Sequence, residues 1–472
     1  MAVSLFSAAQ SLFRARRVCS LGLSIIASGC IVPFVSVAWA ASAGDSRATI
    51  DRGAYIARAA DCVACHTKPG GVAFAGGYGI QSPMGVIYSN NITPSMTHGI
   101  GGWSEAAFAR AVREGVSPNG TRLYPAMPYD SYAGMTDEDI HALYVYLQGA
   151  IAPVDTPVGP VTRLRFPYNM RNLMRVWNWL YLDRTRFAPR PGETVAQARG
   201  RYLVESVAHC GTCHTPRNFM MAAKAGHKLE GAQVGGWYAP DIAAGTHGPL
   251  GSWRDDEIEA YLRDGHARDR GVAAGPMGEA VEHSLRYLTE SDLQAITAYL
   301  RQQNRSDSSG RPVRPTTDPA RAYQLDSPDD RLIRHAARAE RNATPGLYAD
   351  RRNYRDIDGG AALYMAACAS CHQIDGRGTR DDFYPSLRQS SAVQASRPNN
   401  LIMTILAGVH RDGADGAARM PAFRHDLTDQ QIAVLVHFVT DRFGSTPLTP
   451  SATDVATLRR FDTADLPAEA RP

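Results

Sequence analysis

The sequence predicts an all-α chain built from three tandem copies of one small helical unit, and three observations predict it. The motif Cys-x-x-Cys-His begins at Cys62, Cys210 and Cys368, at intervals of 148 and 158 residues. Each copy is followed by a methionine beside proline or glycine, and then by a closing helix with a common N-terminal signal. No stretch alternates apolar and polar residues as a half-buried strand would. One order of events recurring at a similar spacing is the mark of an internal repeat.

The elements follow in chain order. Arg14, Arg16 and Arg17 precede an apolar stretch from Leu21 to Val37, and Ala38-Trp39-Ala40 offers a small-x-small cleavage site. Residues 1–40 read as a secretory signal cut after Ala40, with retention as an uncleaved anchor the second reading. The first unit is expected over 48–152, the second over 195–303 and the third over 356–446. Each starts with a short helix leading into its motif, at Gly53-Ala-Tyr55-Ile56, Gly200-Arg-Tyr202-Leu203 and Gly360-Ala-Ala-Leu363-Tyr364. A middle helix then stops at glycine: Glu105 to Gly115, Asp256 to Gly265 and Asn400 to Gly408. The closing helices open on Thr136, Thr289 and Thr428, each an N-cap candidate with an acid or amide three residues on. Residues 153–194 link the first two units and carry an aromatic-rich amphipathic helix from Asn169 to Tyr181. It is too short to span a bilayer. It either packs between domains or presents an interfacial or partner-docking face. Residues 304–355 read as a polar linker and 447–472 as a polar tail.

The cysteines carry the chemistry. Cys19 and Cys30 lie in the signal, and the other six all fall in the three motifs. In an oxidising compartment six cysteines suggest disulfides, but disulfide pairing gives no reason for a histidine after each second cysteine. Zinc would need two further ligands near each motif. Cys-x-x-Cys-His is the pattern of covalent haem attachment, two thiols joining the vinyl groups and the adjacent imidazole reaching the iron. Cys62, Cys65, Cys210, Cys213, Cys368 and Cys371 are therefore the expected attachment residues, and His66, His214 and His372 the proximal ligands. Each unit then reads as a class I cytochrome c-like domain built around one covalently bound haem c.

The sixth ligand largely sets the potential, and a thioether raises it. Met127, Met277 and Met420 lie 61, 63 and 48 residues after the three histidines, each just before its closing helix. Pro beside each one stiffens the loop. Met135 competes with Met127, with Met84 and Met96 further away. His98, His209, His247, His283, His410, His425 and His437 are spare. Without the signal the chain is close to neutral, which gives no sign of a nucleic-acid partner.

In combination these strings resemble a known family. Asp61-Cys62-Val-Ala-Cys65-His66-Thr67, Asn91-Ile-Thr-Pro94 and Tyr124-Pro-Ala-Met127-Pro-Tyr129 carry the likeness in the first unit. His209 to Arg217, Gly236-Trp-Tyr-Ala-Pro240 and Gly275-Pro-Met277 carry it in the second, and Met420-Pro-Ala-Phe423 in the third. The chain resembles the three-haem cytochrome c subunit of bacterial membrane-bound dehydrogenases, the group serving alcohol, gluconate, sorbitol, fructose and aldehyde oxidation. That resemblance implies a subunit that is not catalytic alone. It would take electrons from a larger dehydrogenase subunit of flavin, pyrroloquinoline quinone or molybdenum type and pass them to ubiquinone. It implies membrane association on the periplasmic side of the inner membrane, although the tail lacks a strong version of the family's C-terminal amphipathic anchor. The alternative is a free periplasmic multihaem carrier feeding a terminal oxidase. A multihaem peroxidase would need an open distal site, whereas all three units offer a methionine.

Overall fold

The computed structural model describes residues 38–243, 249–303, 359–413 and 416–464. The export segment up to residue 37, the connector 304–355 and His247 lie outside the described residues. Residues 1–46 and 47–472 form two units, and of the first only the start of helix α1 is described.

In the first stretch α1 (Ala38–Ala59) runs into the motif, and a hairpin of β1 (Gly79–Ser82) and β2 (Gly85–Tyr88) follows. Helix α2 (Glu105–Glu114) starts where the Ser104 hydroxyl accepts from the Ala107 N–H, and it stops at Gly115, whose φ of 63° suits glycine. Helix α3 (Asp137–Gly149) is capped by Thr136 as expected. In the linker, β3 (Arg163–Leu164) pairs with β2, and the aromatic helix expected from Asn169 starts only at Leu173, as α4 (Leu173–Tyr181).

The second stretch repeats the order. Helix α5 (Val195–Tyr202) begins with a Thr194–Gln197 capping box and continues as a π-type turn over Leu203–Val207. A ribbon of β4 (Ala232–Val234) and β5 (Trp237–Ala239) precedes α6 (Asp255–Asp264), which ends at Gly265. The ribbon of β6 (His266–Ala267) and β7 (Gly271–Val272) leads to α7 (Pro276–His283) and then α8 (Glu290–Gln303). The third has α9 (Gly360–Ala367), α10 (Asn399–Ala407), a ribbon of β8 (Val409–Gly413) and β9 (Gly416–Met420), and α11 (Asp429–Phe443).

Two expectations meet a different structure. The chain is largely helical, but it carries short antiparallel ribbons of two to five residues per strand. Strands that short leave no readable alternation. The expected polar tail contains α12 (Ala452–Ala464), which buries Val455 and Leu458 against the third core. Arg459 ties it down through Asp429 at 2.7 Å.

Glycine sets the helix crossings. A Cβ on Gly53 would overlap the Ala142 carbonyl oxygen in α3, and one on Gly200 would overlap that of Ala295 in α8. Gly360 meets the Val434 carbonyl of α11 in the same way.

The first two stretches share one continuous core, from Ile56 and Leu143 to Leu203 and Ile296, while the third has its own. Their junction is reciprocal. Tyr55 donates to Asp292 at 2.5 Å and accepts from the Thr289 N–H; Tyr202 donates to Asp139 at 2.5 Å and accepts from the Thr136 N–H. Arg52 and Arg199 complete the two clusters on Asp139 and Asp292. Each lead-in helix thereby closes the cap of the other stretch's closing helix.

Candidate haem sites

A haem attachment site needs two thiols and an imidazole presented from one short turn. Cys62–Cys65, Gly211–His214 and Ala369–His372 are such turns, and all six cysteines are free. Burial pushes the Cys62, Cys65, Cys210 and Cys368 thiols up to about 12.

Each proximal imidazole is oriented in the same way. Nδ1 of His66 lies 2.7 Å from the Asn90 carbonyl oxygen, that of His214 2.7 Å from Pro240, and that of His372 3.0 Å from Pro385. A carbonyl can only accept, so Nδ1 carries the hydrogen and Nε2 keeps its lone pair for iron. Burial lowers the pKa of all three, against the hydrogen bond, which favours the neutral ligating form. Asn90 and Pro240 lie in or beside the strings Asn91-Ile-Thr-Pro94 and Gly236-Trp-Tyr-Ala-Pro240. Sequence reasoning missed these acceptors because a backbone carbonyl has no side-chain signature.

The structure brings the residues expected of the third site around a single cavity. Cys368, Cys371, His372 and Met420 line it together with Tyr364, Phe383, Leu401 and Phe423. This apolar lining with few polar groups fits a haem. Met127 and Met277 pack, half-buried, against the core that also receives Cys62 and Cys210. Met135 is wholly buried in that core, and Met96 is three-quarters exposed. Two spare histidines have other work: His209 stacks on Tyr132 with ring centroids 5.5 Å apart, and His437 Nδ1 lies 3.0 Å from the Leu448 carbonyl oxygen.

The three motif-bearing stretches adjoin one another. Helix α7, which carries Met277, packs on the Cys62–Cys65 turn, while the Tyr129–Tyr132 turn beyond Met127 packs on Leu203–Val207 ahead of Cys210. Gly271, Val272 and Ala274 of the second stretch line the third cavity. That seam is held by His266 and Asp382 at 2.8 Å, and by the Ser391 N–H donating to the Arg270 carbonyl. Asn400 bonds both backbone groups of Tyr238 on β5 at 2.8 Å. His266 and Asp382 stand far apart in sequence with no shared motif, and neither was expected.

Comparison with known proteins identifies relatives of the chain. The family model described as cytochrome c matches residues 197–304 and 357–442. The model of cytochrome c oxidase, cbb3-type, subunit III matches 48–147. A fructose dehydrogenase cytochrome subunit from Gluconobacter japonicus is 43% identical, covering 88% of this chain and 83% of the relative. The gluconate 2-dehydrogenase cytochrome c subunit of Pantoea cypripedii is 37% identical over 91% and 94%. The cytochrome c subunit of an alcohol dehydrogenase (quinone) from Gluconacetobacter polyoxogenes is 37% identical over 87% and 84%.

Proposed function

Because the chain belongs to the family of dehydrogenase cytochrome c subunits, we propose that it relays electrons through three haems from a larger dehydrogenase subunit to ubiquinone. It works at the periplasmic side of the inner membrane after export, and it is not catalytic alone. The observation that carries the reading is the cradle repeated three times, a Cys-x-x-Cys-His turn whose imidazole Nδ1 is fixed on a backbone carbonyl. Cys62, Cys65, His66 and Met127 would hold the first haem, Cys210, Cys213, His214 and Met277 the second, and Cys368, Cys371, His372 and Met420 the third. When bound, haem c supplies one-electron chemistry at its iron.

The chain's own residues orient, exclude water and set distances. The three carbonyls hold the imidazoles in one tautomer. Apolar walls such as Leu401 and Phe423 keep the third crevice dry. Helix α7 packs against the first motif and the β6–β7 loop against the third cavity, so the middle stretch touches both others, which supports a relay. Three tandem domains in contact suit a relay better than three isolated carriers.

Two measurements test this. The mass of the exported holoprotein should exceed the apoprotein by three haems, and by two in Cys368→Ala/Cys371→Ala. A mild-detergent pull-down should recover a flavin-, quinone- or molybdenum-dependent dehydrogenase whose substrate reduces the haems. Recovery of a lone soluble protein that no dehydrogenase reduces would overturn the reading.

A further inference from the structure

Helix α4 has two apolar faces and only one is covered. Trp177 is 1% exposed, and its Nε1–H donates to the Met220 carbonyl at 3.0 Å. Asn178 accepts from the Tyr129 hydroxyl at 2.8 Å and donates to the Glu114 carbonyl at 2.9 Å. Met174 and Tyr181 pack beside Trp177. Those residues share one side of a helix at 3.6 residues per turn, and Leu173, Val176, Trp179 and Leu180 occupy the other. That other side faces solvent, with Trp179 79% exposed. The segment just before it exposes Phe166, at 78%, and Met170. A large exposed apolar patch on a rigid mount marks an interaction site.

The charge around the patch selects its occupant. Between Asp155 and Asp183 there is no acidic residue, whereas Arg163, Arg165, Arg171 and Arg175 all fall there. Arg165 and Arg175 are exposed, and no described ion pair involves them. Tryptophan and leucine flanked by arginine, without acid, complement an anionic lipid surface: the rings enter the headgroup boundary and the guanidiniums meet phosphates. No described helix is long and apolar enough to cross a membrane.

We propose that the outer face of α4, with Phe166 and Met170, is the surface by which the protein lies on an anionic bilayer. This rests on the membrane side of the function proposed above and names the residues that make the contact. The inner face ties α4 to Glu114 and Tyr129 of the first unit and to Met220 of the second. The contact therefore holds the paired units at the lipid surface.

The test uses the purified, haem-loaded protein alone, floated with vesicles of phosphatidylcholine or of phosphatidylcholine mixed with phosphatidylglycerol. Val176→Asp/Trp179→Asp should weaken partitioning onto both by about tenfold or more, because apolar burial drives it. Arg165→Glu/Arg175→Glu should weaken only the phosphatidylglycerol vesicles, by about tenfold. Both pairs are exposed, and unchanged haem spectra and melting will show that the variants fold. Failure of the wild type to float, or unchanged flotation of the aspartate pair, overturns the proposal. So does an aspartate pair that floats normally but no longer recovers the dehydrogenase, which would make the face a protein contact. An arginine pair with unaltered flotation overturns the anionic assignment. Substrate-driven haem reduction in detergent involves no vesicle, so the relay reading stands or falls separately.

Discussion

Each motif histidine commits its Nδ1 hydrogen to a carbonyl, so the nitrogen left free is chosen by backbone geometry rather than by a partner side chain. The sixth ligand is less constrained, and substitution identifies it. Met127→Ala should abolish one near-infrared Fe–S(Met) band, give a high-spin or re-ligated haem and lower one of three potentials. If both band and titration are unchanged, the assignment of Met127 fails. Away from the haems, Arg201 grips both carboxylate oxygens of Glu193 at 2.7 and 2.9 Å, with both side chains buried. That grip holds the Glu193 carboxyl below its ordinary range. A depressed acid stabilises the fold above its unfolded pKa, and the contribution is lost as pH falls through the folded value. Glu193→Gln should therefore cost about 3 kcal/mol at pH 7. Denaturant melts of the two proteins should converge in acid below about pH 4; a gap that widens on acidification would contradict the assignment.

At the scale of elements, the lead-in and closing helices approach so closely that only glycine fits between them. Gly200→Ala puts a methyl into the Ala295 carbonyl oxygen, so α5 and α8 must part at a cost of about 3 kcal/mol. Gly149→Ala, at the end of α3 with open space around it, should be neutral or stabilise by about 0.5–1 kcal/mol. Melting curves of the two variants separate a packing requirement from a general intolerance of alanine. The ribbons act as rims: β6–β7 closes the third cavity, and β5 receives the Asn400 side chain.

Across the whole molecule, a two-residue shift of one tyrosine distinguishes the paired units from the third. Gly53-Ala-Tyr55 and Gly200-Arg-Tyr202 place a tyrosine two residues after the crossing glycine, where it reaches the other stretch's buried aspartate. In the third unit the tyrosine falls four residues after Gly360, and Tyr364 bonds its own unit through the Gln373 carbonyl at 2.6 Å. Tyr55→Phe and Tyr202→Phe should each cost about 1.5–3 kcal/mol, as expected for hydrogen bonds to charged groups. Arg199 binds Asp292 and also lies over the Tyr202 ring at 5.7 Å, so the two clusters are coupled and the double variant should depart from additivity by more than about 0.5 kcal/mol in chemical denaturation. A loss in only one of them would break the reciprocity.

The attachment motifs, threonine caps, glycine stops and methionine loops were legible in the sequence because each is local, set by residues within a turn or two of one another. The family was legible too, because its strings recur in order along the chain. Tertiary structure alone decided which carbonyls orient the imidazoles, that His266 meets Asp382, and that β3 of the linker joins the first hairpin. It also decided that the supposed tail returns as α12 and that two of the three units share a core. These contacts join residues far apart in sequence, often through backbone groups that every residue possesses. No spacing or residue type announces them, and the packing of buried helices selects the few that form.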